Sequence, residues 1–160
     1  EGELLEYLGY PPNTGYPTLK YDSICEMYDV DELDHSHEQR LMDDYGHVAF
    51  ITDFPEHTDP FWNMARKDDH ARKVDVILSG IETIGSAERS VDPVQMRKNF
   101  LTISEGKYSD KLFAEFGRDR VMSELEQFLA LPFVPRFGGG IGVTRLIRSL
   151  SMLHGVSADY

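Results

Sequence analysis

One segment constrains this chain more than any other: Phe137-Gly138-Gly139-Gly140-Ile141-Gly142-Val143-Thr144-Arg145-Leu146. Glycine has no Cβ, so such a run lets a backbone lie directly against another backbone or a ligand. Behind it, Val143, Leu146, Ile147, Leu150 and Leu153 recur at helical spacing. A helix is therefore expected to begin inside the glycines, with Arg145 in its first turn. The free N–H groups of a helix start attract anions, and a guanidinium adds permanent charge and forked donors. Together they suit a terminal phosphate. The spacing excludes a G-x-G-x-x-G dinucleotide loop, because no parallel βαβ alternation surrounds it, and a P-loop, because no Gly-Lys-Ser/Thr follows. On these residues alone, a glycine-rich helix start that merely packs closely explains them equally well.

A second cluster lies upstream. Residues 73–78 (KVDVIL) and 81–87 (IETIGSA) read as strands, and Ser79-Gly80 between them suffices for a tight antiparallel turn. Asp75, Glu82 and Arg89 follow one another at intervals of seven. On a single straight strand, residues seven apart face opposite sides, so their convergence requires the Ser79-Gly80 turn and a kink or bulge at Gly85. Two carboxylates beside phosphates can hold Mg²⁺, which takes one or two carboxylates along with phosphate oxygens and water. Each acid taken singly reads as a solvated or salt-bridged side chain.

The remaining elements fall in order. The first 17 residues, punctuated by Gly9, Pro11, Pro12 and Gly15, are expected to be a connector or lid without a regular element. Residues 18–28 suggest a short helix, and Ser36 a cap for a second one reaching Tyr45 and ending at Gly46. Residues 47–52 (HVAFIT) and 61–64 are candidate strands. Asp92-Pro93 marks a helix start with a cap and an N1 proline, running to Gly106, and a helical region over 110–131 breaks at Gly117.

Composition narrows the function classes. Sixteen basic against 28 acidic residues give a net charge of −12, the opposite of what a broad nucleic-acid surface needs. The nearest basic pairs, Arg66-Lys67 and Arg72-Lys73, sit beside Asp68 and Asp69 and read as a solvated loop of mixed charge. No apolar run approaches the ~20 residues of a membrane span, so a cytoplasmic location is expected. The single cysteine, Cys25, reads as a core residue and fits a reducing compartment. Trp62 and Phe61 read as core. His35 and His37 flank a helix cap instead of forming a metal pair. No Ser-His-Asp or Cys-His arrangement supplies a nucleophile.

The order Asp75, Glu82, Arg89, then G-G-G-I-G-V-T-R ending at Arg145, resembles the D-(six)-E-(six)-R … G-G-G-I-G-x-x-R pattern of the aspartyl/asparaginyl branch of class II aminoacyl-tRNA synthetases. His37-Glu38-Gln39-Arg40-Leu41 is similar to that family's helical H-E-x-x-L segment. Thr52-Asp53-Phe54-Pro55 with Pro60-Phe61-Trp62 is similar to its T-x-Y-P … P-F-Y stretch. The resemblance spans residues 18–154. It implies an α+β fold, an antiparallel sheet flanked by helices, forming a single domain over 1–160 that is the C-terminal portion of a catalytic core.

The resemblance further implies that ATP and Mg²⁺ activate aspartate or asparagine as an aminoacyl adenylate. Asp75 and Glu82 would hold the metal and act as catalytic residues. Arg145 would meet the γ-phosphate, beside the ATP-binding glycines Gly138, Gly139, Gly140 and Gly142. Arg89, Ser86 and Gly80 would line the substrate pocket. The lysine-activating branch carries glutamate where Arg89 stands, and a cation there calls for a side-chain carboxylate or amide oxygen. Adenylate formation needs no protein nucleophile, because the substrate carboxylate itself attacks the α-phosphate, with the enzyme positioning and neutralising charge.

Three departures shape the expected function. The family's motif 1, which builds a homodimer interface, and motif 2, which supplies an arginine to the α-phosphate, are expected outside this chain. Thr144 replaces the acidic residue that usually precedes the motif-3 arginine, nearer the G-G-G-I-G-x-S-R form of ammonia-dependent asparagine synthetases. The R-D-x-x-x-F-P-R tail is absent. The resulting expectation is a ligase that passes the adenylate to ammonia or another small amine. The alternatives are a piece of an aspartyl- or asparaginyl-tRNA synthetase, with tRNA disfavoured by the acidic charge, and an inactive paralogue serving as a binding module.

Overall fold

The computed structural model describes residues 1–11 and 15–156, so Pro12 of the expected connector and the last four residues lie outside the described region. In chain order the elements are α1 (Gly2–Tyr7), β1 (Thr18–Lys20), α2 (Tyr21–Tyr28), α3 (His35–Tyr45), β2 (Val48–Pro55), β3 (Arg66–Lys67), β4 (His70–Leu78), β5 (Ile81–Arg89), α4 (Pro93–Thr102), α5 (Lys107–Phe116), α6 (Arg118–Leu129), β6 (Arg136–Ile141) and α7 (Val143–Leu153). Six strands form one sheet in the order β1-β2-β4-β5-β6, with β3 paired to β4. The α+β class holds. β3 runs antiparallel to β4, and the two-residue link between β4 and β5 admits only an antiparallel pair. β1 departs from the antiparallel expectation by joining β2 in parallel, with Leu19 opposite Ile51.

The backbone divides into two compact units, Glu1–Phe54 with Val74–Ser86 and Gly139–Tyr160, and Pro55–Lys73 with Ala87–Gly138. The first closes on Leu5, Tyr10, Val48, Val76, Leu78 and Ile84, with Leu146, Leu150 and Leu153 of α7 packed against them. The second closes on Met96, Phe100, Val121, Leu125 and Leu129. Trp62, expected in the core, is partly buried and packs against it, edge-on to Phe100 and Phe128, whereas Phe61, also expected there, is exposed. Cys25 is buried. Among the described residues, no helix is long and apolar enough to cross a membrane.

Several local expectations are corrected. The first residues form the helix α1 despite their punctuation, and Gly9, at φ 92, ends it. Residues 18–20 are captured by β2 as β1, so the helix expected from Thr18 starts at Tyr21. Asp34, not Ser36, caps α3: its carboxylate accepts from the N–H groups of Ser36 and His37 at 2.8 and 3.3 Å, and His37 Nδ1 accepts the Asp34 N–H at 2.9 Å. This is a capping box with histidine in the usual Glu/Gln place.

Residues 61–64 are not a strand, because Arg66 donates to the carbonyls of Met64 and Pro60 at 2.8 and 2.7 Å and curls the segment around itself. The Arg66 side chain is thus largely enclosed and also paired with Glu56, contrary to the solvated loop expected there. Arg72 in turn pairs with Glu88 at 2.5 Å. Asp92 and Pro93 start α4 as expected, but the helix ends at Thr102 and a 3-10 turn carries the chain to Gly106. The glycine run itself is strand β6, and the last helix begins only after Gly142.

Candidate active site

Close packing, not a helix start, accounts for two of the run's glycines. A Cβ on Gly139 would lie 2.6 Å from the Gly85 carbonyl and 2.8 Å from Ser86 Cβ, so β6 can lie against β5 only if residue 139 has no side chain. In the second unit, a Cβ on Gly138 would lie 2.8 Å from Arg89 Nε. Nothing lies within 4 Å of the corresponding position on Gly140. Gly142 donates its N–H to the Thr83 carbonyl at 2.8 Å, which fixes where α7 starts.

Arg145 falls in the first turn of α7, as the sequence predicts. Its Nη1 donates to the backbone carbonyl of Glu82 at 2.8 Å and lies 3.8 Å from Glu82 Oε2. About half of the Arg145 side chain remains open to solvent, so it can still meet an anion. One turn further, Ser149 is fully buried; its hydroxyl donates to Ser79 Oγ at 2.8 Å and shares a 2.5 Å hydrogen bond with the Tyr10 hydroxyl. Burial pushes the Tyr10 phenol up, with the Ser149 and Ser79 bonds acting in the opposite direction, so it stays protonated. Helix α7 is thereby seated on the β4–β5 hairpin at two points.

The two acids meet. A Cβ on Gly85 would lie 3.1 Å from Glu82 Oε1 and 3.3 Å from Asp75 Oδ1, so the empty face of one glycine separates both carboxylates. Asp75 is buried on β4, and Glu82 is partly exposed on β5. Gly85 works by having no side chain, since its φ lies outside the left-handed region. Ser79 and Gly80, both at positive φ (50 and 78), make the turn that brings the strands together. Gly80 also has a packing role: a Cβ there would lie 3.1 Å from Gln39 Cα. Ser86 donates through Oγ to Glu1 Oε1 at 2.6 Å.

Asp75, Glu82 and Arg145 thus share one locality with Gly139, Gly142 and Ser86. Arg89 and Gly138 belong to the second unit, where Arg89 Nη1 donates to Asn63 Oδ1 at 3.1 Å. No spacing rule points to Asn63, whose contact arises only from the fold. Among the described residues there is no cluster of three or more His, Cys, Asp or Glu side chains able to hold a metal. Asp75 and Glu82 form a two-carboxylate pair, a donor set that suits Mg²⁺ when phosphate oxygens and water complete its shell.

A sequence profile described as tRNA synthetases class II (D, K and N) matches residues 5–157. No curated protein sequence matches significantly. Among solved structures, the chain is similar to asparaginyl-tRNA synthetase from Pyrococcus horikoshii complexed with asparaginyl-adenylate, with a TM-score of 0.67 and 20% identity over 87% of this chain and 32% of that one. It is similar to aspartyl-tRNA synthetase from Entamoeba histolytica, with a TM-score of 0.63 and 19% identity over 86% of this chain and 29% of that one. Asparaginyl-tRNA synthetase from the same organism, in complex with asparaginyl-adenylate, gives a TM-score of 0.65 and 18% identity over 93% of this chain and 35% of that one. At these identities the likeness establishes the fold. The chain spans about a third of the length of those structures.

Proposed function

The chain belongs to the class II tRNA synthetases of the D, K and N group, and on that premise we propose that it activates aspartate or asparagine with ATP as an aminoacyl adenylate. One observation carries the reading: two carboxylates from adjacent strands converge over a glycine, beside an arginine anchored on the backbone of one of them. In this reading residues 1–160 are one piece of a catalytic core. Asp75 and Glu82 hold Mg²⁺, which neutralises phosphate charge when bound. Arg145 is oriented by the Glu82 carbonyl so that its remaining donors meet the terminal phosphate. Gly140, with nothing within 4 Å of where a Cβ would stand, leaves the backbone open to the nucleotide, and Gly142 places the start of α7 beside it. Arg89, steadied by Asn63, reads a side-chain carboxylate or amide oxygen of the amino acid, and Ser86 and Gly80 are assigned to substrate binding by the family pattern alone.

For the acceptor, Thr144 and the net charge of −12 favour ammonia or another small amine over tRNA. The likeness to asparaginyl- and aspartyl-tRNA synthetases supports tRNA as the second reading. The deciding experiment is ATP–pyrophosphate exchange by the full-length protein with aspartate, then asparagine. Arg89→Glu serves as control and is expected to cost ~100-fold or more, in line with the ~2–5 kcal/mol lost when a buried charge pair is broken. Absence of exchange with both amino acids would overturn the adenylate reading. Charging of tRNA by the same protein would replace the amine acceptor.

A further inference from the structure

The H-E-x-x-L segment has no role in the chemistry so far, yet each of its distinctive positions has a contact. His37 closes the capping box of α3, Arg40 stacks over the Tyr28 ring at 4.1 Å, and Leu41 is fully buried. Glu38 does something different: its Oε2 accepts the backbone N–H of Glu82 at 3.0 Å, 44 residues away in sequence. The carbonyl of that same residue accepts Arg145 Nη1 at 2.8 Å. Both polar groups of the Glu82 backbone are therefore held by charged side chains from two helices, α3 and α7. Such charge-assisted bonds are about twice as strong as neutral ones.

We propose that Glu38 is a positioning residue for the Asp75–Glu82 pair, holding the Glu82 backbone so that its side chain stays over Gly85 beside Asp75. The inference rests on the reading of that pair as a metal site. Three features pre-organise Glu38. Asp34 caps its helix, so the first turn is set. His35 Nδ1 lies 3.5 Å from the same Oε2, while Gln39 Nε2 lies 3.4 Å from His35 Nε2, which favours the tautomer whose Nδ1–H faces Glu38. Gly80, lacking a Cβ, admits Gln39 and with it the helix to within reach of β5. The Glu38 side chain is only 23% exposed, so water competes weakly for the Glu82 N–H.

Metal-ligand distances tolerate ~0.2 Å, and losing a residue that orients a ligand costs ~10–100-fold in metal affinity. The test follows hydrogen–deuterium exchange of the full-length protein on peptides covering residues 72–84, titrated with Mn²⁺ in the presence of ATP. Glu38→Ala is expected to raise the Mn²⁺ concentration for half-maximal protection ~10–100-fold and to speed exchange of the Glu82 amide, whereas Glu38→Gln, still an acceptor, stays close to wild type. Glu38→Asp keeps the charge and the helix but draws the oxygen back by one methylene, so it should behave as Glu38→Ala even if the latter folds poorly. In pyrophosphate exchange Glu38→Ala and Glu38→Asp should raise the Mg²⁺ requirement and leave the amino-acid KM unchanged. Wild-type metal dependence in Glu38→Ala and Glu38→Asp would overturn the positioning role. Wild-type protein whose exchange never responds to Mn²⁺ and ATP would overturn the metal reading instead.

Discussion

Adjacent glycines in β6 should respond to the same substitution with opposite signs. In Gly139→Ala the new methyl meets the Gly85 carbonyl at 2.6 Å and Ser86 Cβ at 2.8 Å, both part of a paired strand that cannot swing aside. Reaching ordinary contact, at ~3.5 Å, requires β6 to move away by most of an ångström, and overpacking of this kind costs ~1–3 kcal/mol. At ~2–4 °C per kcal/mol for a domain of this size, the melting temperature should fall by ~2–12 °C. Gly140→Ala meets nothing within 4 Å and has no left-handed φ, so it should be neutral or gain ~0.4–1 kcal/mol by stiffening the unfolded chain. Thermal and urea unfolding followed by circular dichroism would measure both. Equal losses in the two variants would refute packing against β5 as the reason for glycine at 139. A stable Gly140→Ala protein with weakened ATP binding would assign that glycine to the nucleotide.

Gly85→Ala places a methyl 3.1 and 3.3 Å from the Glu82 and Asp75 carboxylates, whose ends can give way, so stability should change little while Mg²⁺-dependent pyrophosphate exchange falls ~10–100-fold; full exchange would separate the pair from catalysis. Ser149→Ala removes one of the two hydroxyl partners of the buried Tyr10 phenol and the one that Ser149 gives Ser79, and should cost ~1–3 kcal/mol in urea unfolding, so a neutral result would show that the Tyr10 and Ser79 hydroxyls suffice for each other. The Asp34 carboxylate is held below its ordinary value, first by the Ser36 hydrogen bond and then by the His37 and Ser36 N–H groups. Its contribution to stability is therefore present above the ordinary carboxylate range and lost as pH falls through its lowered value. The stability gap between wild type and Asp34→Ala should shrink across that acid window, and a constant gap would show that the cap is not carboxylate-dependent.

Much of this protein is written locally in its sequence. The Ser79-Gly80 turn, the Asp92-Pro93 helix start, the break at Gly117 and the apolar face of the last helix all follow from short-range rules, because turn geometry, capping and amphipathic spacing act within a few residues. Residue type and spacing made Asp75, Glu82, Arg89 and Arg145 candidates only, and the resemblance to the family pattern is what gave them roles. Local rules failed where a distant partner competed for the backbone: β2 took residues 18–20 from a helix, and Arg66 curled 61–64 out of a strand. Spacing alone could not establish that Asp75 and Glu82 converge, because alternation along a strand places residues seven apart on opposite faces. Only the packed hairpin, with Gly85 leaving room, brings their oxygens together. The same holds for Glu38 beneath Glu82 and Asn63 beside Arg89, which are contacts between residues far apart in sequence and visible only once the chain is folded.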